Sequence, residues 1–444
     1  MTTRSLQKIL GVGFGLAIAF GTMVGVGILR LPGAVAAAVG SPSLVMLCWT
    51  VGGLYTVLAA LSITELATMY PEAGGFRVYA RRAFGEGTGF LVGWIDWLAG
   101  VATLAYGAVT VVDFAGTLWA PLALHEQSLG IGLLLVYTAA HWHGLRMGSL
   151  LTSAISATIA LLFLVLVAGC LLIAPAAPAT PASGALAGQH AQAATLLAAI
   201  PAVRALLTAY DGWYAPLYMA EENVDAARTL PRAIIGGALL VVALYLAYNL
   251  ALLRVLPLTV LAASPLPAAA AAGVLLRGAG AVFVTVTAML TVLSLINSNM
   301  LITPRVLYAL ARDGWIPAGL AAVSERGTPR PAVAMTVVAA ATMILSGTFN
   351  QIIAVFAVLI LSYYVSAFLA IFVLRRRAPR QPRPYRIPGY PVTPLVVLLA
   401  TLAILAGAVI DDLRSAVIAV GFVAACVPAY LWAARARSRR LATA

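Results

Sequence analysis

Charged residues are scarce in this chain, and lysine and cysteine are almost missing. Only 9% of the 444 residues are charged, whereas 62% are hydrophobic, a balance that no water-soluble fold of this length has. Lysine occurs once, as Lys8, and Cys48, Cys170 and Cys426 all lie in apolar runs. These cysteines exclude a disulfide framework and a CxxC redox pair. The composition predicts an all-α polytopic membrane protein.

Motifs for catalysis and for cofactors are also absent. The sequence has no nucleophile elbow, P-loop, zincin motif or dinucleotide fingerprint. His141 and His143 lack neighbouring cysteines or carboxylates, so no metal is assigned. Basic charge on a membrane protein normally sets topology, so no nucleic acid partner is expected. We therefore expect neither an enzyme nor an ATP-driven pump, and no cofactor.

Hydrophobic runs divide the chain into twelve predicted transmembrane helices. A helix needs about 20 apolar residues to cross the hydrocarbon core of a bilayer. The first run is too long for a cleavable signal peptide. The predicted spans cover residues 10–38, 43–69, 88–119, 129–144, 149–174, 195–221, 233–256, 272–309, 332–348, 351–375, 393–410 and 415–434.

Basic residues predict the orientation of these spans. With the N-terminus in the cytoplasm, the cytoplasmic flanks hold all Lys and Arg residues except Arg30, Arg204, Arg254, Arg277 and Arg414. This bias indicates that both termini are cytoplasmic and that the number of spans is even. We expect a multi-pass protein of a prokaryotic cytoplasmic (inner) membrane.

Two linkers divide the predicted spans into groups of five, five and two. The uncharged Ala-, Pro- and Gly-rich stretch 176–193 predicts an external loop, and the basic, proline-rich stretch 377–392 predicts a cytoplasmic linker. The units are then 1–175, 194–376 and 393–444, the last with a basic tail. A break in both span one and span six favours a repeated five-helix unit.

Glycines interrupt span one in Gly21–Gly33, which reads GTMVGVGILRLPG. Gly21, Gly25 and Gly27 lie near its middle and Pro32 follows, although glycine costs roughly 1 kcal/mol relative to alanine inside a helix. A break at this depth frees backbone groups that lipid cannot satisfy. Transporters use such breaks to bind substrate at the membrane midplane, and close helix packing is the alternative explanation.

Span six contains a second candidate break in Leu206–Glu222, LLTAYDGWYAPLYMAEE. Asp211–Gly212 is a turn dipeptide, and Pro216 lacks the N–H that would bond one turn earlier. An ionisable residue inside a span usually marks a functional region. For the Asp211 carboxylate, capping of the following half-helix is favoured over contact with a cationic substrate.

Six motifs follow one another along the chain between Gly21 and Pro391. They are GTMVGVGIL, ELATMYPEAGGFRVYARRAFGEGTGFLVGW, AYDGW, NLALLRVLP, NSNMLITPRVLYALARDGWIP and RPYRIPGYP. Together they resemble the amino acid–polyamine–organocation (APC) superfamily of permeases, and within it the L-amino acid transporter (LAT) branch. The resemblance implies a LeuT-type fold, with two inverted five-helix repeats, discontinuous helices one and six, and two C-terminal helices. It also implies amino acid transport by alternating access.

The resemblance places a substrate site at the two breaks. Backbone N–H groups at the start of a half-helix would bind the substrate carboxylate, and backbone carbonyls would bind its ammonium group. Trp213 would close over the substrate, and aromatic residues such as Tyr106, Tyr363 and Tyr364 would meet its side chain. The implied substrate-binding residues are Met23, Gly25, Val26, Gly27, Tyr106, Ala209, Tyr210, Asp211, Gly212 and Trp213.

Three features depart from the family pattern. Val26 replaces a serine, which removes a hydroxyl but leaves the backbone donors. Tyr214 replaces an asparagine and is expected to narrow the side-chain pocket. Span five, Ser149–Ile173, lacks the lysine that stands in for a sodium ion in many relatives. Hydroxyl groups of spans five and eight would instead line a cation site, or they would bond the carbonyls of their own helices. These residues are Ser153, Ser156, Thr158, Ser294 and Ser298.

Further charged residues lie near the span ends. Glu65, at the end of span two, and Glu221–Glu222, at the end of span six, are interpreted as a cytoplasmic gate or, preferably, as positional salt bridges. Asp96 is expected near the cytoplasmic end of span three, where capping or exposure explains it, with proton transfer as the alternative. Asp113 is expected near the external surface. The predicted partners of the glutamates are Arg77, Arg81, Arg82 and Arg228, and Arg204 is expected at the lip of an external vestibule.

The sequence thus predicts a secondary active amino acid permease, acting as an exchanger or a proton-linked symporter. A neutral amino acid is the expected substrate. A cationic amino acid or polyamine is the alternative because Asp211 is present, and a substrate sensor is the alternative outside transport. The expected partners are the lipid bilayer, the amino acid, and a proton or counter-transported amino acid. No accessory subunit is expected, since no suitable external cysteine is present. Gating or coupling candidates are Glu65, Glu222, Ser294 and Ser298.

Overall fold

The computed structural model of the protein describes residues 6–175, 202, 205–347 and 349–442. These residues form an all-helical structure with no strand among them. Eight of its helices are long and apolar enough to cross a membrane, or nine if the bent first pair is one span. The predicted external loop 176–193 and Arg204 lie outside the described residues.

The helices follow the predicted order along the chain. The first group is α1 (Val12–Met23), α2 (Val26–Val39), α3 (Pro42–Met69), α4 (Phe76–Phe84), α5 (Glu86–Leu118), α6 (Glu126–Trp142) and α7 (Leu145–Ala168), which continues as a π-helical turn at Gly169–Ile173. The second group is α8 (205–209), α9 (Ala215–Tyr218), α10 (Ala226–Val255), α11 (Leu258–Ala263), α12 (Pro267–Leu276), α13 (Gly280–Arg312), α14 (Arg330–Ser346) and α15 (Phe349–Arg377). The chain ends with α16 (Val392–Asp411) and α17 (Leu413–Ala442).

Wherever the structure describes it, each predicted span falls on one or two of these helices. Span one corresponds to α1 and α2, and span six to α8 and α9. The predicted span 272–309 is divided, because a turn at Arg277–Ala279 separates α12 from α13. Helices α6 and α14 have only 17 residues each, short for a span. The number of membrane crossings therefore stays a prediction.

Glycines bring α5 and α13 together. These are the two longest helices of the described chain, with 33 residues each. Glycines recur every seven residues on α5, and the side chains they face recur every seven residues on α13, in antiparallel order. The contacts are Gly93 with Leu310, Gly100 with Thr303 and Gly107 with Ile296. Small residues at this spacing let two helix backbones approach closely.

Glu65 joins three segments that are distant in the sequence. Its fully buried carboxylate accepts hydrogen bonds from Arg375 Nε at 2.8 Å and Nη2 at 2.5 Å, and from the backbone N–H of Ile387 at 2.9 Å. Arg383 Nε lies 3.3 Å from the same group. The end of α3 is thereby held to α15 and to the proline-rich linker that follows α15.

Glu222 has a similar role at the end of span six. It is fully buried, and its two oxygens bond Arg305 of α13, with Nε at 2.5 Å and Nη2 at 2.8 Å. Its backbone carbonyl accepts the N–H groups of Ile9 and Leu10, each at 3.0 Å. The segment before α1 is therefore held against span six and α13.

The predicted partners of these glutamates are wrong. Arg77 and Arg81 bind Asp313, Arg82 binds Glu72, and Arg228 lies 3.6 Å from Asp225. Glu221 binds Arg312. The prediction chose arginines that are near in the sequence, whereas the glutamates contact helices from much later in the chain.

We predict that Glu222→Gln destabilises the protein strongly. The change leaves the Arg305 guanidinium buried without its counter-charge, which typically costs about 3–5 kcal/mol. Thermal unfolding of the purified protein in detergent measures the effect. Glu221→Gln is the matched control, because its partner Arg312 is one-third exposed and partly exposed pairs contribute little. Equal losses from the two variants would contradict the prediction.

Candidate functional site

The first break lies between α1 and α2. α1 ends at Met23, and Val24 and Gly25 have extended backbone conformations before α2 begins at Val26. The two helices are bent by 47° relative to each other. The N–H groups at the start of α2, which has 14 residues, therefore point into the break, where the helix dipole favours an anion.

The second break is the turn at residues 210–214, between α8 and α9. Gly212 has a φ of +103°, a region that favours glycine. A Cβ on Gly212 would lie 2.8 Å from the backbone carbonyl carbon and oxygen of Thr22. The Thr22 hydroxyl lies 2.9 Å from the Gly212 carbonyl and 2.6 Å from that of Ile18, and it donates to one carbonyl at a time. The two breaks are thus in direct contact, and only glycine fits between them.

Both breaks line one cavity of about 540 Å³. Its walls include every predicted substrate-binding residue except Tyr210 and Trp213. Tyr210 is buried beside the cavity, where its hydroxyl donates to the Trp49 carbonyl at 3.1 Å. Trp213 lines a neighbouring cavity of about 570 Å³. The structure therefore brings the predicted backbone donors and acceptors together, while these two aromatic side chains lie behind them.

A sequence model of the family described as "Amino acid permease" matches residues 15–432 of the chain. The chain belongs to the amino acid permease family. Its role is therefore that of a membrane transporter of amino acids and not of an enzyme.

Individual relatives match the permease over most of its length. The serine/threonine exchanger SteT of Bacillus subtilis is 28% identical over 96% of this chain and 97% of its own. The mouse b(0,+)-type amino acid transporter 1 is 27% identical over 93% and 85%. The human large neutral amino acids transporter small subunit 2 is 27% identical over 86% and 72%. These matches agree with the resemblance to the LAT branch.

Tyr245 of α10 connects the two breaks of the permease, and it is absent from the predicted site residues. Its hydroxyl lies 2.8 Å from the carbonyl of Met23 and 3.1 Å from that of Ala209. It also hydrogen-bonds the backbone of Gly25. A phenol carries one proton, so it donates to one carbonyl at a time. The sequence gives only one indication of this role: Tyr245 brings a hydroxyl into an apolar span, four residues before Asn249.

The capping prediction for Asp211 is wrong. α9 starts after Tyr214 without any side-chain cap. The Asp211 carboxylate instead accepts the hydroxyls of Tyr364 at 2.7 Å and Tyr214 at 3.3 Å, and it bonds the N–H of Gly212. The turn directs this side chain toward α15, so that it lies in the cavity wall. Tyr214, which departs from the family pattern, also lines the cavity, as predicted from its size.

Asp96 is also not where the sequence predicted. It is 9% exposed and lines the cavity, so neither capping nor interfacial exposure describes it. Its carboxylate accepts the hydroxyl of Tyr218 at 2.7 Å and hydrogen-bonds Tyr363. Tyr363 lines the same cavity, whereas Tyr364 faces the neighbouring one. Asp96 thus joins α5 to the short helix α9 and to α15, directly at the cavity that both breaks line.

Tyr106 separates the central cavity from an adjoining one. It lines both the cavity at the breaks and a second cavity of about 320 Å³. The second cavity also contains Arg30, Asp113 and Glu126. Asp113 is exposed, and its place near the external surface stays a prediction. Tyr106 is therefore placed between the cavity at the breaks and a charged second cavity.

Three serines surround Gly21 in α1. A Cβ on Gly21 would overlap the hydroxyl of Ser294 and lie 2.8 Å from that of Ser156 and 3.5 Å from that of Ser298. Ser156 donates to the carbonyl of Ala17 at 2.8 Å. Ser294 and Ser298 are fully buried and have no hydrogen-bond partner among the described residues. Two other predicted members of this group, Ser153 and Thr158, bond their own helix carbonyls instead.

We predict that Tyr245→Phe raises the KM for amino acid exchange about five- to tenfold. The variant loses the hydroxyl that joins the two breaks, and a net hydrogen bond of about 1 kcal/mol corresponds to a change of this size. Labelled uptake into proteoliposomes measures it. Tyr248→Phe is the control, since the Tyr248 hydroxyl on the same helix is buried without a partner in the described structure. Equal effects of the two variants would contradict a role in joining the breaks.

Proposed function

We propose that this permease is an amino acid exchanger that works by alternating access. The observation that carries the proposal is the cavity of about 540 Å³ whose walls contain both helix breaks. The N–H groups of Val26 and Gly27 match a substrate carboxylate, together with that of Gly25, which is shared with the Tyr245 hydroxyl. The carbonyls of Met23 and Ala209 match its ammonium group. Since a carbonyl oxygen has two lone pairs, contact with Tyr245 leaves acceptor capacity for the substrate.

Both predicted substrate classes fit this backbone site, because it recognises only the carboxylate and ammonium groups that all α-amino acids share. Relatives whose names specify serine and threonine or large neutral amino acids support a neutral substrate. Two carboxylates in the cavity wall, Asp96 and Asp211, support a cationic one. Exchange, rather than proton-linked symport, is favoured because SteT is named as an exchanger.

We further propose twelve spans in two inverted repeats of five plus a final pair, with both termini in the cytoplasm of a prokaryotic cell and no accessory subunit. Helix pairs broken in spans one and six, five spans apart, support the repeat. The buried ion pairs of Glu65 and Glu222 then lie on the cytoplasmic side. In this arrangement they act as a gate that holds the cytoplasmic end of the cavity closed.

Exchange in proteoliposomes tests the proposed function. We expect labelled amino acid uptake to increase when the lumen is loaded with unlabelled amino acid. Gly212→Ala should abolish it, since a Cβ there meets the Thr22 backbone, whereas Gly13→Ala, with nothing within 4 Å of its added Cβ, should not. Saturable binding of amino acids without flux would instead identify a sensor on the same fold.

Ser294 and Ser298 are the proposed coupling residues. Their unpartnered hydroxyls beside Gly21 fit a bound monovalent cation that links α1 to α13. We expect exchange to slow when choline replaces sodium, and a Ser294→Ala, Ser298→Ala double variant to lose that dependence. Ser153→Ala is the control, since its hydroxyl bonds its own helix. An exchange rate unaffected by sodium in the unmodified protein would rule out this coupling ion.

A further inference from the structure

We propose that Asp96, with Tyr218, Tyr363 and Thr303, forms a distal subsite for the positively charged end of a cationic amino acid side chain. The proposal rests on the proposed function, because the substrate's own carboxylate and ammonium group must first be held at the two helix breaks. It narrows the substrate class to amino acids with a side-chain ammonium or guanidinium group.

The charge of the cavity wall is the first observation. Asp96 and Asp211 both line it, and the described lining residues include no lysine, arginine or histidine. Both carboxylates bond tyrosine hydroxyls, and neither forms an ion pair within the described chain. Arg77 of α4 packs on Gly93, one turn along α5 from Asp96, but its guanidinium is paired with Asp313 at 2.7 Å.

A neutral amino acid does not compensate the two carboxylates of the cavity wall. Its ammonium group compensates a single negative charge and its own carboxylate adds another. A carboxylate away from water is costly unless a cation accompanies it. A substrate with a second positive charge supplies that cation at Asp96, while the Asp211 carboxylate stays next to the break.

An unpartnered hydroxyl is the second observation. Thr303 of α13 is 2% exposed, lines the cavity, and its Oγ1 has no hydrogen-bond partner among the described residues. It lies against Gly100, one turn along α5 from Asp96. A buried polar atom without a partner carries a desolvation penalty. An ammonium or guanidinium N–H would remove that penalty once the hydroxyl turns from Gly100 toward the cavity.

The space and the aromatic rings around Asp96 also suit a side-chain cation. Ala99, Gly100 and Thr103 are small residues of α5 that line the cavity above Asp96, which leaves room for an extended aliphatic chain. Tyr218 and Tyr363 line the same cavity, and both hydrogen-bond the Asp96 carboxylate. A cation bound to that carboxylate would lie beside two aromatic rings, which attract cations through their quadrupoles.

Pairs of substrates that differ only in side-chain charge test the subsite. Exchange of lysine is compared with that of norleucine, and exchange of arginine with that of citrulline, in proteoliposomes. We expect the unmodified permease to show a KM at least tenfold lower for the charged member of each pair. Asp96→Asn should bring the ratio of the two KM values close to one, and Asp96→Glu should restore much of the preference.

Asp113→Asn is the matched control. Asp113 lies on the same helix but is exposed and lines the second cavity, of about 320 Å³. This variant should therefore keep the ratio of the KM values for charged and neutral substrates. Thr303→Val, which keeps the side-chain shape, should reduce the ratio without Asp96 being changed. If Asp96→Asn does not fold, the unmodified protein and Thr303→Val still decide the question.

Two outcomes would overturn the subsite. One is equal KM values for charged and neutral members in the unmodified protein, and the other is an unchanged ratio in Asp96→Asn. Failure of the proposed function looks different, because then neither member of any pair is exchanged at all.

Discussion

Backbone groups of two interrupted helices, placed where lipid offers them no hydrogen-bond partner, are the constraint on which the rest of this structure depends. Side chains of the protein itself supply hydrogen bonds to these backbone groups. Tyr245 reaches the carbonyls of Met23 and Ala209, and the Thr22 hydroxyl reaches Gly212. These contacts hold the two breaks together, whereas the N–H groups at the start of α2 remain available to the cavity. The groups that remain unsatisfied face the cavity, and they are the basis of the site proposed for a small zwitterion.

Buried charges organise one end of the molecule, at the last residues of α3 and of span six. Glu65 and Glu222 are each surrounded by partners from segments far apart in sequence, including the linker after α15 and the residues before α1. Removing one partner of such a pair is far more disruptive than losing an exposed pair. Any movement that opens this end must either carry these pairs along as rigid units or exchange their partners, which confines the possible motions to a few.

Tyrosine hydroxyls connect the cavity to its surroundings. Asp96 and Asp211 are held by tyrosines of α9, α15 and the turn before α9, and Phe76 of α4 packs against this aromatic group. The carboxylates are thereby fixed in place without being neutralised by a basic side chain. The same tyrosines join the short helix α9 to α5 and α15.

Local properties of the sequence were sufficient for the helical fold, the breaks in spans one and six, and the family, because apolar length, glycine position and motif order are readable without knowing which helix faces which. Most residues of the cavity wall at the breaks were predicted for the same reason, because Gly25–Gly27 and Ala209–Gly212 lie at the breaks themselves. The tertiary structure alone decided the arginine partners of Glu65 and Glu222, the placement of Asp96 and Asp211 in the cavity wall, and the role of Tyr245. Ion pairs and hydrogen bonds depend on the rotation and neighbours of each helix. Partners that are 83 or 310 positions apart in the sequence leave no local signal of their contact.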